Sequence, residues 1–287
     1  FIFMSWVFIA QTREPAQVSR AKPISQREYL SRLPGILQDD PNFRLFMLSQ
    51  VVIVMGGMAV GFLTVYAVQR WSLSDGQAAG FTITYATSYH AFRQSTELKP
   101  GESVLVLGAA GGVGISAVEI AKLLGAKVIA AASSEEKLQF ARQAGADECI
   151  NYAASNLRDA VRELTGGKGV DVVYDPVGGE LAQMALRSLA WQGRYLVIGF
   201  ACGDIPAFPA NIALLKEASI IGVWWGTWGK HNPGESLKNM TELAAMVAEG
   251  KLNPRVTESY PMEQYAKAFA AITERRARGK VVLTLNP

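Results

Sequence analysis

The residues of this 287-residue chain whose types and spacing could do chemistry are gathered in one turn, Gly108-Ala109-Ala110-Gly111-Gly112-Val113-Gly114. Counted from Ala109 it reads Ala-x-Gly-x-x-Gly, a phosphate-binding glycine pattern with alanine in its first place. Gly111 would let the backbone approach a pyrophosphate, and Gly114 would let the following helix lie close against the preceding strand. That helix's free N–H groups and dipole would hold the anion. Ala110, Gly112 and Val113 fill the rest of the turn. The implied chemistry is retention of a dinucleotide, with the reactivity supplied by the bound group.

The other reactive side chains offer less. Cys149 and Cys202 stand far apart with no C-x-x-C spacing, and His90 and His231 have no metal-ligand spacing to either. No metal site is expected, the histidines read as structural or surface residues, and the cysteine usage fits a reducing compartment.

A dinucleotide with an unphosphorylated ribose calls for an acid about 20 residues past the glycines, at the end of the next strand. Ala132-Ser133-Ser134 occupy that place. Glu135 and Glu136 follow, but in the first turn of a helix, where carboxylates suit the dipole for structural reasons. Ser133-x-x-Glu136 also fits a capping box. With no acid to repel a 2′-phosphate and with Lys137 one turn away, the residues favour NADPH over NADH.

Positioning this turn requires a strand before it and a helix after it, and the sequence supplies both. Val104 to Leu107 is an unbroken apolar run, as a parallel strand covered on both faces should be. After the turn, Val113, Ala117, Ile120, Ala121 and Leu124 recur at spacings of three and four, and Gly125 ends the helix. Ahead of the strand, 75–98 has helical propensity. Beyond the helix, strands are expected at 127–132, 148–151, 170–175, 193–198 and 219–223, with helices at 134–144, 157–165 and 180–189 between them. This alternation predicts an α/β fold with a doubly wound parallel (Rossmann) sheet. Its ligand would sit at the carboxyl ends of the strands, where Gly108, Ser133, Asp175, Gly199 and Trp224 fall. After Gly226 a helix at 237–249, a strand at 256–260, a helix at 262–276 and a last strand at 280–285 are expected, belonging to a second domain.

A net charge of +3 with both signs scattered, and no basic tract interleaved with aromatics, argues against nucleic acid as a partner. The first 72 residues differ in kind. Phe1 to Ala10 is apolar but spans only about 15 Å as a helix, too short for a bilayer core of about 30 Å. A basic loop follows to Asn42. Leu45 to Val68 then runs for 24 residues without a charge and carries Gly57-x-x-x-Gly61, so a membrane-spanning helix is expected there.

From about Leu73 to Leu285 the chain resembles the second half of a zinc-independent medium-chain reductase of the quinone oxidoreductase type. The resemblance rests on ITYATSYHAF, LKPGESVLVLGAAGGVG, GAKVIAAASSEEK, GADECINY, GKGVDVVYDPVGG, GRYLVIGF, SIIGVWWG and GKVVLTL, in this order. It implies NADPH with Ala110 to Gly114 at the pyrophosphate and Ser133, Lys137 and Tyr152 around the 2′-phosphate. It places Thr87, Val177, Gly199, Phe200, Val223, Trp224 and Trp225 near the nicotinamide ribose or ring. The substrate would be a small-molecule hydride acceptor: a quinone, an enone or another activated carbonyl. Such reductases begin with a catalytic domain that this chain does not show, so no catalytic residue is assigned, and an NADPH-binding module with little turnover is the alternative. Residues 1–72 resemble part of a major-facilitator transporter, with LPGILQDDPNFRLFMLSQ as the matching stretch and a chimeric join within 73–82. The expected organisation is a hydrophobic helical segment (1–72), a dinucleotide-binding domain (73–226) and the C-terminal remnant of a catalytic domain (227–287). Residues 73–287 would be cytoplasmic, with membrane association only through Leu45 to Val68; a homodimer is compatible with this reading.

Overall fold

The structure, a computed structural model, describes residues 75–284 and parts of a helical stretch between Asp40 and Ser49. By contacts the chain divides into two compact units, Phe1–Leu63 and Thr64–Pro287. Apart from those few residues, the expected membrane span and the transporter-like segment lie outside what is described. Among the described residues no helix is long and apolar enough to cross a membrane.

Six strands form one parallel sheet: β1 (Ser103–Leu107), β2 (Lys127–Ala132), β3 (Glu148–Asn151), β4 (Val170–Asp175), β5 (Leu189–Val197) and β6 (Ser219–Gly222). Their order is β3-β2-β1-β4-β5-β6, so the direction of winding reverses between β1 and β4. Such a reversal opens a crevice at the carboxyl ends of the two central strands. The crossovers are helical: α2 (Gly112–Leu123) after β1, α3 (Glu135–Gln143) after β2, α4 (Leu157–Leu164) after β3 and α5 (Gly179–Arg187) after β4.

Strand period decides which residue meets which layer. In β1, Val104 and Val106 enter one core with Ala117 and Ile120 of α2, while Leu105 and Leu107 enter the other with Val161 of α4 and Leu186 of α5. All four β1 residues are fully buried, each contributing about 1.5–3 kcal/mol by the area it removes from water. The helix preceding the sheet, α1 (Asp75–His90), continues as a wider turn over Ala91–Ser95 and puts Phe81, Tyr85 and Tyr89 into the first core.

Two short helices have no counterpart in the sequence reading, α6 (Ala210–Lys216) and α7 (Trp225–His231). Each is seven residues long, about two turns, too short to display an apolar period. β5 starts four residues before the expected Gly193 because Gln192, at φ 58°, turns the chain without ending the pairing with β4.

The remaining chain forms α8 (Pro233–Ala248), β7 (Val256–Pro261), α9 (Tyr265–Thr273) and β8 (Lys280–Thr284). The helix expected over 262–276 opens as a tight turn at Met262–Gln264 and stops short of Arg275, whose φ of 58° is left-handed. α8 lies on α1: Tyr89 donates to Glu242 at 2.6 Å, and Gln94 and Asn239 exchange amide hydrogen bonds. β7 and β8 pair in parallel as a separate two-stranded sheet. Buried Glu119 of α2 ties that sheet to the nucleotide fold, accepting from Tyr85 Oη at 2.6 Å and Arg255 Nε at 3.0 Å.

Candidate functional site

At the exit of β1 the chain turns at Gly108, where φ is +56°, and Gly111 N donates to Gly108 O at 2.9 Å. Gly111 is the N-cap of α2, and the first bond inside the helix runs from Ile115 N to Gly111 O. The N–H groups of Gly112, Val113 and Gly114 therefore have no partner within the helix and face the turn as donors for an anion.

The three glycines are not equivalent. A Cβ on Gly114 would stand 2.2 Å from Gly108 O, so a side chain there is incompatible with the helix lying this close to the strand. A Cβ on Gly111 would meet only Gly108 O, at 3.3 Å, with open space around it. This is the arrangement of a backbone that leaves room for a pyrophosphate. A Cβ on Gly112 would collide with the C-terminal segment, 2.8 Å from Lys280 Cδ and 3.1 Å from Gly279 O.

The ends of β2 and β3 carry the second group. Ala132 pairs with Asn151, so Ser133 and Tyr152 leave the sheet side by side, and Tyr152 N donates to Ala132 O at 3.1 Å. The N-cap of α3 is Ser134, not Ser133: Ser134 Oγ accepts from Lys137 N at 3.4 Å. Released from capping, Ser133 Oγ accepts from Lys137 Nζ at 3.2 Å, and the same ammonium donates to Arg275 O at 2.8 Å. Both glutamates of the first turn are engaged elsewhere, Glu135 with Arg142 and Glu136 with Arg278.

The third group lies at the ends of β4, β5 and β6. Buried Asp175 accepts from Val177 N at 2.7 Å, Gly178 N at 2.9 Å and Tyr195 Oη at 2.6 Å, fixing the loop after β4. Burial, and then the Asp175 charge, push the Tyr195 hydroxyl far above its ordinary pKa, so it stays a neutral donor. The loop after β5 zips onto this one: Gly199 N donates to Asp175 O, Ala201 N to Pro176 O and Cys202 N to Val177 O. Phe200 and Trp224 are exposed at these ends, Trp224 by 75%, whereas Val223 is buried. Trp225 packs on the first core with an indole N–H that has no hydrogen-bond partner among the described residues.

Thr87 is half-buried on α1, beside Ser88. The Ser88 hydroxyl contacts Tyr174 Oη at 2.8 Å and Ser116 Oγ at 2.9 Å, pinning α1 to β4 and α2. The predicted residues thus fall into three sets along the carboxyl edge of the sheet: the glycine turn, Ser133 with Lys137 and Tyr152, and the loop residues after β4, β5 and β6. The contribution of Gly279 and Lys280 was not legible in the sequence, since they lie on a distant strand. His90 is buried and stacks on Trp228 with ring centroids 4.2 Å apart. Among the described residues no three His, Cys, Asp or Glu side chains gather where they could hold a metal ion. The arrangement can hold a phosphorylated dinucleotide along the sheet edge and present an apolar, aromatic rim at one end.

A family model described as zinc-binding dehydrogenase matches residues 112–245. Quinone oxidoreductase-like protein 2 of Bos taurus is 41% identical over 211 residues, 73% of this chain and 60% of the relative. The chain spans 58% to 61% of the length of the relatives of this name. The crystal structure of a 2-haloacrylate reductase superposes with a TM-score of 0.68 at 31% identity, covering 76% of this chain and 68% of that one. The quinone oxidoreductase of Escherichia coli, solved in complex with NADPH, superposes with a TM-score of 0.69 at 31% identity, covering 74% and 66%.

Proposed function

We infer function from descent, since the chain belongs to the medium-chain dehydrogenases and reductases, in their zinc-independent, quinone-oxidoreductase-like branch. On this reading it is an NADPH-dependent oxidoreductase whose acceptor is a quinone, an enone or another activated carbonyl. Bound NADPH would supply the hydride. The chain's own residues hold and orient the dinucleotide: the N–H groups of Gly112 to Gly114 at the pyrophosphate, Ser133, Lys137 and Tyr152 at the 2′-phosphate, and Thr87, Val177, Gly199, Phe200, Val223, Trp224 and Trp225 around the nicotinamide.

The contact of Lys137 with Ser133 carries this reading, because both neighbouring glutamates are already paired with arginines. An uncommitted acid at this place would repel a 2′-phosphate. The test is calorimetric titration of the full chain with NADPH and with NADH, followed by NADPH oxidation assayed with a soluble quinone. Tighter binding of NADPH and quinone-dependent oxidation are expected; equal affinities would remove the NADPH assignment.

A second reading, a module that binds NADPH with little turnover, is favoured by the state of two tyrosines near the strand ends. Tyr174 and Tyr195 are buried and hydrogen-bonded to Ser88 and Asp175, so neither is a free proton donor. Finite NADPH affinity without quinone reduction would select it.

Two further features belong to the same proposal. The edge strand β6 is largely exposed, Ile220 included, and Leu214 and Leu215 of the preceding α6 are exposed too, which supports pairing of two copies. The division after Leu63 supports an N-terminal unit distinct from the nucleotide-binding one, although its boundary falls within the apolar run Leu45 to Val68 and not after it.

A further inference from the structure

His90 ends α1 where the helix widens into the turn Ala91–Ser95. In a wider turn both the fourth and the fifth residue onward come back beneath the first, whereas in an α-helix the fifth falls on another face. Gln94 and Ser95 are those residues. His90 Nδ1 lies 3.3 Å from Gln94 Oε1, and His90 Nε2 lies 3.4 Å from Ser95 Oγ. Gln94 Nε2 donates to Asn239 Oδ1 of α8, and Asn239 Nδ2 donates back to Gln94 Oε1. That exchange makes Gln94 Oε1 an acceptor, so Nδ1 carries the imidazole proton and Nε2 accepts from the Ser95 hydroxyl. Both ring nitrogens are satisfied in the neutral form.

The flat side of the same ring holds α7. His90 stacks on Trp228 with an interplanar angle of 29°. Trp228 N donates to Trp224 O at 3.0 Å, so the stacked indole sits one turn along from the exit of β6. α7 has seven residues and buries none of them fully, and a helix so short is held by its tertiary contacts. On α1, Thr87 lies one turn before His90. One imidazole therefore joins the two elements that carry Thr87 and Val223 to Trp225, the residues read above as surrounding the nicotinamide.

Charging this ring would put a cation in a place built for a neutral group. Burial pulls the His90 pKa below its ordinary value, and the Gln94 bond offsets this in part. On the turn, Arg93 lies over the Tyr89 ring, and on α8 Glu242 accepts from Tyr89. Lys230 and His231 of α7 and Glu235 and Lys238 of α8 are exposed. Among the described residues no carboxylate therefore pairs with the imidazole. The Trp228 face attracts a cation, but less than the hydration that a buried cation gives up. Protonation at Nε2 would also force the Ser95 hydroxyl to turn round.

We propose that His90 is a positioning residue that holds α7, and through it the nicotinamide end of the site, while its imidazole is neutral. The proposal rests on the NADPH reading above and adds to it a dependence on pH. The docked arrangement favours the neutral ring, so α7 is held fully above the free imidazole value of about 6.5 and is released as pH falls below it. The adenosine end, built on β2 and α3, does not share this control.

The quantity to measure on the full chain is the ratio of two affinities, for NADP⁺ and for 2′-phospho-ADP-ribose, which is NADP⁺ without the nicotinamide. The ratio cancels the ionisation of the 2′-phosphate that both ligands carry. It should fall about threefold or more between pH of about 7.5 and about 5.5. His90→Phe keeps a ring against Trp228 and cannot ionise, so in that variant the ratio, whatever its value, should not change with pH. In the unaltered protein, carbon-13 NMR of the two imidazoles should show one titrating below about 6.5, identified by the ring-current shift that stacking on Trp228 imposes. Its midpoint should match that of the affinity ratio, and this arm needs no variant. A ratio independent of pH in the unaltered protein, a pH dependence that survives in His90→Phe, or an imidazole midpoint displaced from that of the ratio overturns the proposal. Failure to bind either ligand at neutral pH would instead overturn the parent reading.

Discussion

Lys137 Nζ lies 3.2 Å from Ser133 Oγ, joining the first turn of α3 to the end of β2 at the point where a ribose-binding acid would stand. Ser133 is free for this contact because Ser134 caps the helix. Lys137→Ala should weaken NADPH by about tenfold or more, as expected for loss of a charge-assisted contact of about 1.5–3 kcal/mol, and change NADH by less than twofold. Calorimetry showing equal losses for both would place the ammonium away from the 2′-phosphate.

How far the site was legible depends on the range of the interactions that build it. β1, the glycine turn and β2 follow from neighbours in sequence, and their bounds fall where the apolar runs and glycines put them. The cap of α3 shifted by one residue, from Ser133 to Ser134, because two adjacent serines offer the same local chemistry and only the strand exit decides between them. Lys280 was invisible for a different reason. Nothing near Gly112 in sequence announces that its missing side chain makes room for a residue far along the chain, on β8. Trp224, expected at the carboxyl end of its strand, does stand just beyond edge strand β6 and is exposed there.

The contrast between Gly111 and Gly114 separates binding from folding. Gly111 has φ −74°, which any residue adopts, and a Cβ there meets only Gly108 O. Gly111→Val should therefore leave the thermal midpoint within a few degrees and abolish measurable NADPH binding, since its side chain fills the approach of the pyrophosphate. Gly114→Ala should instead destabilise by about 1–3 kcal/mol, because the helix must move off β1. Thermal denaturation and calorimetry on the two variants give opposite patterns if these roles are right. Loss of stability in Gly111→Val with binding retained in the folded fraction would reverse them.

Buried tyrosines set a limit on alkaline stability. Burial first, and then the hydrogen bond to Glu242, push the Tyr89 hydroxyl up to about 12, and burial raises Tyr85, Tyr174 and Tyr195 as well. A group whose pKa is higher in the folded state stabilises the fold fully below its unfolded value, near 10. That contribution is lost as pH rises from about 10 through 12. Absorbance titration at the phenolate band should show several of the nine tyrosines ionising only together with loss of circular dichroism. Tyr89→Phe should flatten the decline in stability above pH 10. Smooth ionisation of all tyrosines near 10 with the fold intact would contradict the burial.

Glu119 links the fold's core to the Gly279–Lys280 turn that abuts the glycine loop. It accepts from Tyr85 Oη and Arg255 Nε, and its ion pair with Arg255 is largely screened from solvent. Arg255 O in turn accepts from Lys280 N at 2.9 Å, and it lies 2.5 Å from where a Cβ of Gly279 would stand. Arg255 is thus the residue on which the Gly279–Lys280 turn rests. Glu119→Ala leaves a half-buried arginine and a buried tyrosine hydroxyl without their acceptor and should cost about 3–5 kcal/mol. Glu119→Gln keeps one acceptor and should cost less, leaving a folded protein in which cofactor binding is measurable. Because Arg255 supports the Gly279 bridge to Gly111 in the glycine turn, that variant should also lose affinity for NADPH and NADH alike. Unchanged affinity for both dinucleotides in a folded Glu119→Gln variant would mean that Glu119 supports stability alone and that the glycine turn holds its shape without it.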